Sequence, residues 1–257
     1  MISSDNQIDL LGYKLISNKA YLSKIILKSL TKKKNIIINT INVHSYVVQK
    51  KDSHFKDALQ RSNYLIPDGS GMVFAANILK RKNIKRITGY DLFIEIIAKI
   101  NEFDVKNKKV MFLGATDDTL KLIKERLIKE YPNIKLSSLS PPFKSKFSSY
   151  DIKNFIESIN NESPNVVFVG LTAPKQEILI NAICQDIKVD IISGIGAVFD
   201  FYSGTIKRPH SFFIKLNIEF IGRFIQNPIK MYKRVFISIP IFIIEVFVLK
   251  IKNIIRP

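Results

Sequence analysis

The chain has 257 residues, 46% hydrophobic and 11% aromatic, which suffices for a substantial buried core and excludes an intrinsically disordered protein. The formal net charge of +18 is typical of nucleic-acid-binding proteins. The sequence has, however, no zinc finger, no RRM-like aromatic strand motif and no arginine-rich arm, so we expect no nucleic-acid partner.

Short apolar strands alternate with amphipathic helices along most of the chain. Ser70 is expected to cap one of these helices, and Asp117 or Asp118 another. The predicted strands cover residues 35–39, 64–66, 109–113, 134–136, 166–170 and 189–193. The predicted helices cover residues 21–30, 43–50, 55–63, 71–80, 90–100, a segment that ends at 130, 151–159 and 175–187.

This alternation predicts βαβ units, and therefore an α/β fold with a mostly parallel sheet covered by helices on both faces. Ligands of such sheets bind outside the carboxyl ends of the strands. Polar or small residues stand at four predicted strand ends, which we expect to share one rim: Thr40 and Asn42, Asp68, Gly114 to Thr116, and Gly170 to Lys175.

Asp68 is the strongest candidate for a catalytic residue. It follows a predicted strand directly, between Pro67, which stiffens the turn, and Gly69, which permits close approach of a ligand. A carboxylate at this rim is able to accept a proton from an attacking hydroxyl group. The alternative is an ordinary Pro-Asp-Gly turn. Thr40 and Asn42 have a similar alternative, since polar residues at strand ends often cap the next helix.

Residues 165–204 contain two units in which an apolar strand ends in small residues. In the first unit Pro174 starts a helical pattern, and exposed backbone N–H groups at such a turn favour an anionic ligand such as a nucleotide diphosphate. In the second unit Asp200 either binds a sugar hydroxyl or caps a turn. The polar and glycine residues of the two units are Lys175, Gln176 and Glu177, then Gly194 and Gly196.

Several common kinds of site are absent from the sequence. Gly194 and Gly196 do not complete a GxGxxG fingerprint, and no P-loop or DxD motif occurs. The single cysteine, Cys184, excludes an intramolecular disulfide and is expected to be buried and inert. The three histidines show no metal-ligand spacing. We therefore expect neither a metal nor a cofactor.

The C-terminal tail, residues 205–257, is strongly basic, with ten Lys or Arg residues against Glu219 and Glu245. Its cations are either partners of a diphosphate and of anionic lipid headgroups, or the solvated face of an amphipathic helix packed on the core. The apolar run 235–249 is shorter than the ~20 residues of a spanning helix. Without a visible targeting segment, we expect a cytosolic protein that touches a membrane. The tail cations interleaved with apolar residues are Arg208, Arg223, Lys230 and Arg234.

Taken together, the motifs resemble the WecG/TagA/CpsF family of bacterial glycosyltransferases (glycosyltransferase family 26), from about residue 35 to residue 234. The motifs, in family order, are Thr40-x-Asn42, Pro67-Asp68-Gly69-x-Gly71, Gly89-x-Asp91-Leu92, Phe112-Leu113-Gly114, Gly170-Leu171-x-Ala173-Pro174-Lys175-Gln176-Glu177 and Gly194-x-Gly196-Ala197-x-Phe199-Asp200. Two tail motifs depart from the family pattern, and Lys230 stands where arginine is common.

The resemblance implies a Rossmann-like catalytic domain over residues 1–204 and a membrane-associating appendage over 205–257. It implies an inverting, metal-independent enzyme that moves N-acetylmannosamine or a related sugar from a UDP-sugar to a polyprenyl-diphosphate-linked sugar, with possible homo-oligomerisation. Asp68 matches the family's proposed base, with Thr40 and Asn42 beside it. The residues implied in nucleotide or substrate binding are Gly69, Gly114, Lys175, Gln176, Glu177, Gly194, Gly196, Asp200, Arg208, Arg223, Lys230 and Arg234.

Two other functional classes stay open at this point. The first is a nucleotide-sugar-binding or scaffold protein without catalysis, against which the intact Thr40, Asn42 and Asp68 argue. The second is a basic nucleic-acid-binding protein, whose affinity would fall steeply with salt and would not respond to UDP. A turnover assay separates both from the transferase.

Overall fold

The computed structural model describes residues 6–103, 107–210, 212–213, 216 and 218–255. Its strands are β1 (Gln7–Leu10), β2 (Tyr13–Ile16), β3 (Ile36–Ile41), β4 (Tyr64–Pro67), β5 (Lys109–Gly114), β6 (Lys135–Leu139), β7 (Val166–Gly170) and β8 (Ile191–Gly194). Its helices are α1 (Lys19–Lys32), α2 (Val43–Val48), a 3₁₀ turn (Gln49–Lys51), α3 (Ser53–Gln60), α4 (Ser70–Lys80), α5 (Gly89–Glu102), α6 (Asp117–Glu130), α7 (Ser149–Glu162), α8 (Lys175–Ile183), α9 (Val198–Ser203), α10 (Glu219–Gln226), α11 (Pro228–Tyr232), a π-helical turn (Lys233–Ser238) and α12 (Ile239–Ile255).

The eight strands form one sheet in the order β1-β2-β4-β3-β8-β7-β5-β6. All neighbouring pairs are parallel except β1 and β2, which form an antiparallel hairpin. The predicted α/β class with a mostly parallel sheet is therefore confirmed. Sequence analysis missed the hairpin, although residues 8–10 and 13–15 alternate between buried and exposed side chains, and Leu11 and Gly12 supply the positive φ angles of its turn.

Helices cover both faces of the sheet, so its central strands are continuous apolar runs. On one face α1, α5, α6 and α9 enclose the largest core, in which the ring of Phe93 lies 5.0 Å from Phe168 and 4.8 Å from Tyr202. On the other face α7 and α8 cover β5, β7 and β8. Cys184 is buried in this second core, and burial raises the pKa of its thiol.

Several predicted helix starts differ from the structure. Thr116, rather than Asp117 or Asp118, caps α6 by accepting a hydrogen bond from the Thr119 N–H. Helix α4 begins at Ser70 itself, with Gly69 as the capping residue, because the chain turns sharply there at a φ of +88°. Helix α8 ends at Ile183, four residues before its predicted end.

The C-terminal helices lie against the sheet domain through one buried stripe of α12. Phe242 and Val246 are buried between α12 and the helices α2 and α4. The Phe242 ring lies edge-on to Tyr46 at 5.5 Å, and the Tyr46 hydroxyl donates a hydrogen bond of 2.7 Å to Glu245. Within the residues that the structure describes, no helix has both the length and the apolarity needed to cross a bilayer.

Candidate active site

A cavity of about 460 Å³ opens at the carboxyl ends of β3 and β4 and is closed on its far side by the C-terminal helices. Strands β3, β4, β8, β7 and β5 run in the same direction, so their carboxyl ends share one edge of the sheet. The cavity occupies the β4 side of this edge. The polar and charged residues that line it are Asn42, His44, Asp68, Ser70, Arg86, Glu219, Arg223 and Arg234.

Asp68 is placed in this cavity by the backbone of the sheet. Its N–H donates a hydrogen bond of 2.9 Å to the carbonyl of Ile41, the last residue of the neighbouring strand. Burial raises the pKa of the Asp68 carboxyl group, while the nearby guanidinium groups of Arg223 and Arg86 oppose this rise. A desolvated carboxylate of this kind is a stronger base than one in water.

Asn42 and Thr40 occupy different environments although they end the same strand. Asn42 lines the cavity, and its side-chain oxygen accepts the Ser45 N–H at 3.0 Å, so it also caps α2. Thr40 is buried in β3, in register with Ile66 of β4. Since side chains two residues apart project to the same side of a strand, Thr40 lies behind Asn42 rather than in the cavity lining.

A buried carboxylate, Glu219, gathers three arginines beside the cavity. Its side chain is 7% exposed. Its Oε2 lies 2.9 Å from Nη2 of Arg86 and 3.8 Å from Nη2 of Arg208, and its Oε1 accepts a hydrogen bond of 3.0 Å from Nε of Arg223. Burial alone would raise the pKa of Glu219, but the three guanidinium groups outweigh it and hold that pKa below its usual value. Three cations against one carboxylate leave this cluster positively charged.

Arg86 is a site residue that sequence reasoning missed. It comes from the connection between α4 and α5, where it stands in a run of basic residues that resembles a solvated surface segment. The only signal was its position shortly before the Gly89-x-Asp91 motif. Its ion pair with Glu219, 133 residues further along the chain, is what brings it to the cavity.

Arg234 lines the cavity without a partner of its own. It takes part in no hydrogen bond or ion pair within the described ranges, and its charge interacts with that of Asp68. Burial lowers the pKa of its guanidinium group. The π-helical turn that carries Arg234 is fixed at its other end, where the hydroxyl of Ser238 lies 2.8 Å from Nδ1 of His44.

A second group of predicted residues lies on the α9 side of the same edge. Burial raises the pKa of Asp200, and the charge of Lys230 opposes that rise. The guanidinium group of Arg223 lies 4.8 Å from the centre of the Phe201 ring, and that of Arg208 lies 4.7 Å from the Tyr90 ring. Asp200 and Lys230 are outside the cavity lining, although Asp200 directly precedes Phe201, the residue that Arg223 contacts.

Gln176 and Glu177 are buried and organise the glycine loop after β8. The Gln176 side chain accepts the Gly196 N–H at 3.0 Å and donates to Glu177 at 2.8 Å. The Gly194 N–H donates to Asn39 at 3.0 Å. Burial raises the pKa of Glu177 to about 7. These contacts hold the loop backbone in place. Gln176 and Glu177 therefore shape the edge of the sheet by positioning this loop, while their own side chains stay buried.

Gly114 and Lys175 are further from the cavity. Gly114 lies at the end of β5, where an added Cβ atom would come within 2.6 Å of the Gly170 carbonyl oxygen. The Lys175 ammonium group binds the carbonyl oxygen of Lys144 and lies 4.0 Å from the centre of the Phe147 ring. Of the predicted residues, the structure gathers Asn42, Asp68, Gly69, Arg223 and Arg234 around the cavity.

Comparison with known proteins identifies the family. The family model described as "Glycosyl transferase WecG/TagA/CpsF family" matches residues 8–255. Curated proteins of Bacillus subtilis (strain 168), Bacillus spizizenii and Staphylococcus aureus (strain MW2) are similar to the chain, and each is named N-acetylglucosaminyldiphosphoundecaprenol N-acetyl-beta-D-mannosaminyltransferase. Their identities are 33%, 29% and 29%; the matches cover 82%, 94% and 82% of this chain and 78%, 89% and 80% of the respective relatives.

Proposed function

The chain belongs to the WecG/TagA/CpsF family of glycosyltransferases, and on that premise we propose that it transfers N-acetylmannosamine or a related sugar from a UDP-sugar to a polyprenyl-diphosphate-linked N-acetylglucosamine. The names of the relatives support the sugar and the acceptor. The family resemblance of the sequence motifs supports the nucleotide. The product would enter a cell-surface polymer such as a teichoic acid, a capsule or an O-antigen.

Asp68 is the general base in this proposal. Its carboxylate removes the proton from the acceptor hydroxyl, whose oxygen then bonds to the anomeric carbon of the donor sugar with inversion. The bond between that carbon and the diphosphate oxygen breaks, and UDP leaves with the electron pair. The observation that carries the proposal is the position of Asp68, a desolvated carboxylate in a cavity that also holds Arg223 and Arg234.

The arginine cluster supplies the positive charge that the departing UDP needs. Guanidinium groups bind diphosphate oxygens in bidentate fashion, and charge that is fixed before the reaction stabilises the transition state. Arg86 and Arg223 line the cavity, and Arg208 shares their carboxylate partner, Glu219. With these cations present, the proposed transfer proceeds without a metal ion. Asp200 and Lys230 extend the donor site on the α9 side.

The exposed face of α12 is the proposed membrane-binding surface. Large apolar side chains follow one another along it, and Lys250 and Lys252 lie among them. Such a helix lies in the interface of an anionic membrane, with apolar residues among the lipid chains and lysines near the headgroups. A polyprenyl-linked acceptor also resides there, on the cytosolic face in our proposal. The exposed apolar residues of α12 are Ile241, Ile243, Ile244, Phe247, Val248, Ile251, Ile254 and Ile255.

The proposal is tested by incubating the full chain with a panel of UDP-sugars and a short-chain polyprenyl-diphosphate-N-acetylglucosamine. We expect one donor to give UDP release that depends on the acceptor, and a product heavier by one sugar residue. Binding of UDP without turnover of any donor would favour a nucleotide-sugar-binding protein that has no transferase activity.

A further inference from the structure

The cavity beside Asp68 has a charged floor and an apolar wall. The wall comes from α4 and α12, and two of its side chains, Phe74 and Ile243, are 38% and 39% exposed. The wall therefore continues from the inside of the cavity to the surface of the protein. Its apolar residues are Phe74, Ile239, Phe242 and Ile243. We call this feature the α4–α12 slot.

Arg234 shares the cavity lining with Asp68 and with the residues of this slot. It lines the cavity, its charge interacts with Asp68, and it follows Met231 and precedes Val235, two further residues of the lining. Arg86 and Arg223 are engaged by Glu219, whereas Arg234 has no ion-pair partner among the residues described. A half-buried guanidinium group in this state is suited to a phosphate ligand.

We propose that Arg234 binds the diphosphate of the acceptor and that the first isoprene units of its lipid lie in the α4–α12 slot. This inference rests on the proposed function, from which it takes its ligand. The acceptor joins a sugar hydroxyl, a diphosphate and a hydrocarbon chain in that order. The cavity lining offers a partner for each part: the carboxylate of Asp68, the guanidinium group of Arg234 and an apolar wall.

The proposal separates the two diphosphates of the reaction. The cluster held by Glu219 lies on the α9 side, where Arg223 contacts Phe201 and Arg208 contacts Tyr90. In our proposal that cluster binds the diphosphate of the UDP-sugar donor. Arg234 lies on the α12 side and serves the acceptor. The cavity thus holds cations engaged by Glu219 and one cation, Arg234, that has no such partner among the described residues, so each substrate diphosphate has its own guanidinium group.

The slot also explains how a membrane lipid reaches a polar active site. Phe74 lies 6.2 Å from Phe247, ring centre to ring centre, and Phe247 belongs to the exposed apolar face of α12. The apolar surface is thus continuous from the proposed membrane contact to the cavity. A prenyl chain that follows it stays in contact with apolar side chains and avoids exposure to water.

The experiment compares two acceptors in buffer without detergent or vesicles, one with a farnesyl and one with a methyl group on the diphosphate of N-acetylglucosamine. For wild type we expect the lower KM with the farnesyl acceptor. Ile243→Ser should raise that KM about tenfold, since it removes apolar contact with the chain. The KM values for the methyl acceptor and for the UDP-sugar should stay within twofold. Ile128→Ser, at an exposed isoleucine of α6, is the matched control and should change nothing.

The outcomes separate the slot from the proposed function. An Ile243→Ser enzyme that keeps the wild-type preference for the farnesyl acceptor, or that loses affinity for both acceptors equally, would overturn the slot. A wild-type enzyme that uses neither acceptor would instead overturn the proposed function. Ile243→Leu should keep the wild-type preference for the farnesyl acceptor. If Ile243→Ser loses that preference at an unchanged unfolding temperature, the loss is not due to misfolding. Arg234→Gln should raise the KM of both acceptors; a rise confined to the UDP-sugar would overturn its assignment.

Discussion

Nδ1 of His44 lies 2.8 Å from the hydroxyl oxygen of Ser238, and this contact joins the helix that follows Asn42 to the π-helical turn that carries Arg234. Burial, with the charges of Arg234 and Lys233, lowers the pKa of His44 to about 4. The ring is therefore neutral near pH 7 and becomes charged in the folded protein only near pH 4.

This shifted pKa predicts a loss of stability in mild acid. The unfolded chain binds a proton at His44 near pH 6.5, and the folded protein does so only near pH 4. Between these values the unfolded state holds more protons, so the free energy of unfolding should fall as the pH falls from about 6.5 to 4 and level off below. Thermal unfolding across this range should be less pH-dependent for His44→Gln. The control is His54→Gln, at an exposed histidine of α3; equal pH dependence in both variants would contradict the prediction.

Glu219 should matter for both stability and donor binding. Glu219→Gln removes the charge that holds three arginines together. Removing one partner of a buried ion pair leaves the other charge uncompensated and lowers the free energy of unfolding by about 3–5 kcal/mol. Since Arg208 and Arg223 are partly exposed, we expect a loss of roughly 2–4 kcal/mol in the free energy of unfolding. The KM for the UDP-sugar should rise about tenfold, because the cations are no longer held in position. Glu95→Gln, at a carboxylate that is 36% exposed and 4.0 Å from its partner Lys99, is the control and should change neither quantity.

Two glycines with positive φ angles should respond differently to alanine. Gly114 has a φ of +132°, and an added Cβ atom would lie 2.6 Å from the Gly170 carbonyl oxygen. Gly12 has a φ of +81° with nothing within 4 Å. We expect Gly12→Ala to cost about 1 kcal/mol of folding free energy, from the backbone strain alone. Gly114→Ala should cost at least twice as much, because two strand ends must move apart. Equal losses in denaturant unfolding would show that the close approach is unimportant.

The sheet and its functional edge could be predicted from sequence because buried parallel strands leave continuous apolar runs that end in polar or small residues. Asp68 and Asn42 stand directly at such ends, so the topology alone brings them together. The β1–β2 hairpin was missed, although Lys14, which interrupts its apolar residues, is the exposed position of an alternating strand. The signal of this hairpin is the alternation of buried and exposed residues with a period of two, which a short strand shows even where its average hydrophobicity is low.

The positively charged residues of the site were harder to predict from the sequence than its carboxylate. Arg86 and Glu219 are 133 residues apart, and nothing local to either indicates the other. Lys175 follows a strand end as predicted, yet its side chain contacts the Lys144 carbonyl and Phe147. A sequence motif fixes the position of a backbone segment; the direction of a long flexible side chain depends on what packs against it.

The exposed face of α12 should bind anionic membranes. We expect the full chain to cosediment with phosphatidylglycerol-containing vesicles and to bind less as the salt concentration rises. The double variant Ile244→Asp, Ile251→Asp should reduce binding at least tenfold, since both side chains are exposed on this face. Ile128→Asp introduces one such charge at an exposed isoleucine of α6, and it should bind like wild type; each single variant, Ile244→Asp or Ile251→Asp, is compared with it. Unchanged binding by the double variant would place the membrane contact elsewhere.

The raised pKa of Asp68 determines how activity should depend on pH. The base must be deprotonated, so kcat/KM should fall as the pH drops through the pKa of its carboxyl group. The acid limb is the part of the pH profile in which kcat/KM falls with falling pH. Because burial raises the pKa of Asp68, this limb should lie at a higher pH than the pKa of an ordinary aspartate. Glu219→Gln removes a neighbouring negative charge that contributes to the rise, and it should therefore move the acid limb to lower pH.

The most direct test of the account is the turnover of Asp68→Asn with the donor and acceptor identified for the wild-type enzyme. The substitution keeps the shape of the side chain and removes its basicity. We expect kcat to fall about 10²–10⁴-fold, the range that a general base contributes, while UDP binding stays within a few-fold of wild type. Asp118→Asn, at an exposed aspartate of α6, serves as the control. Near-wild-type turnover by Asp68→Asn would contradict the assignment of Asp68 as the base.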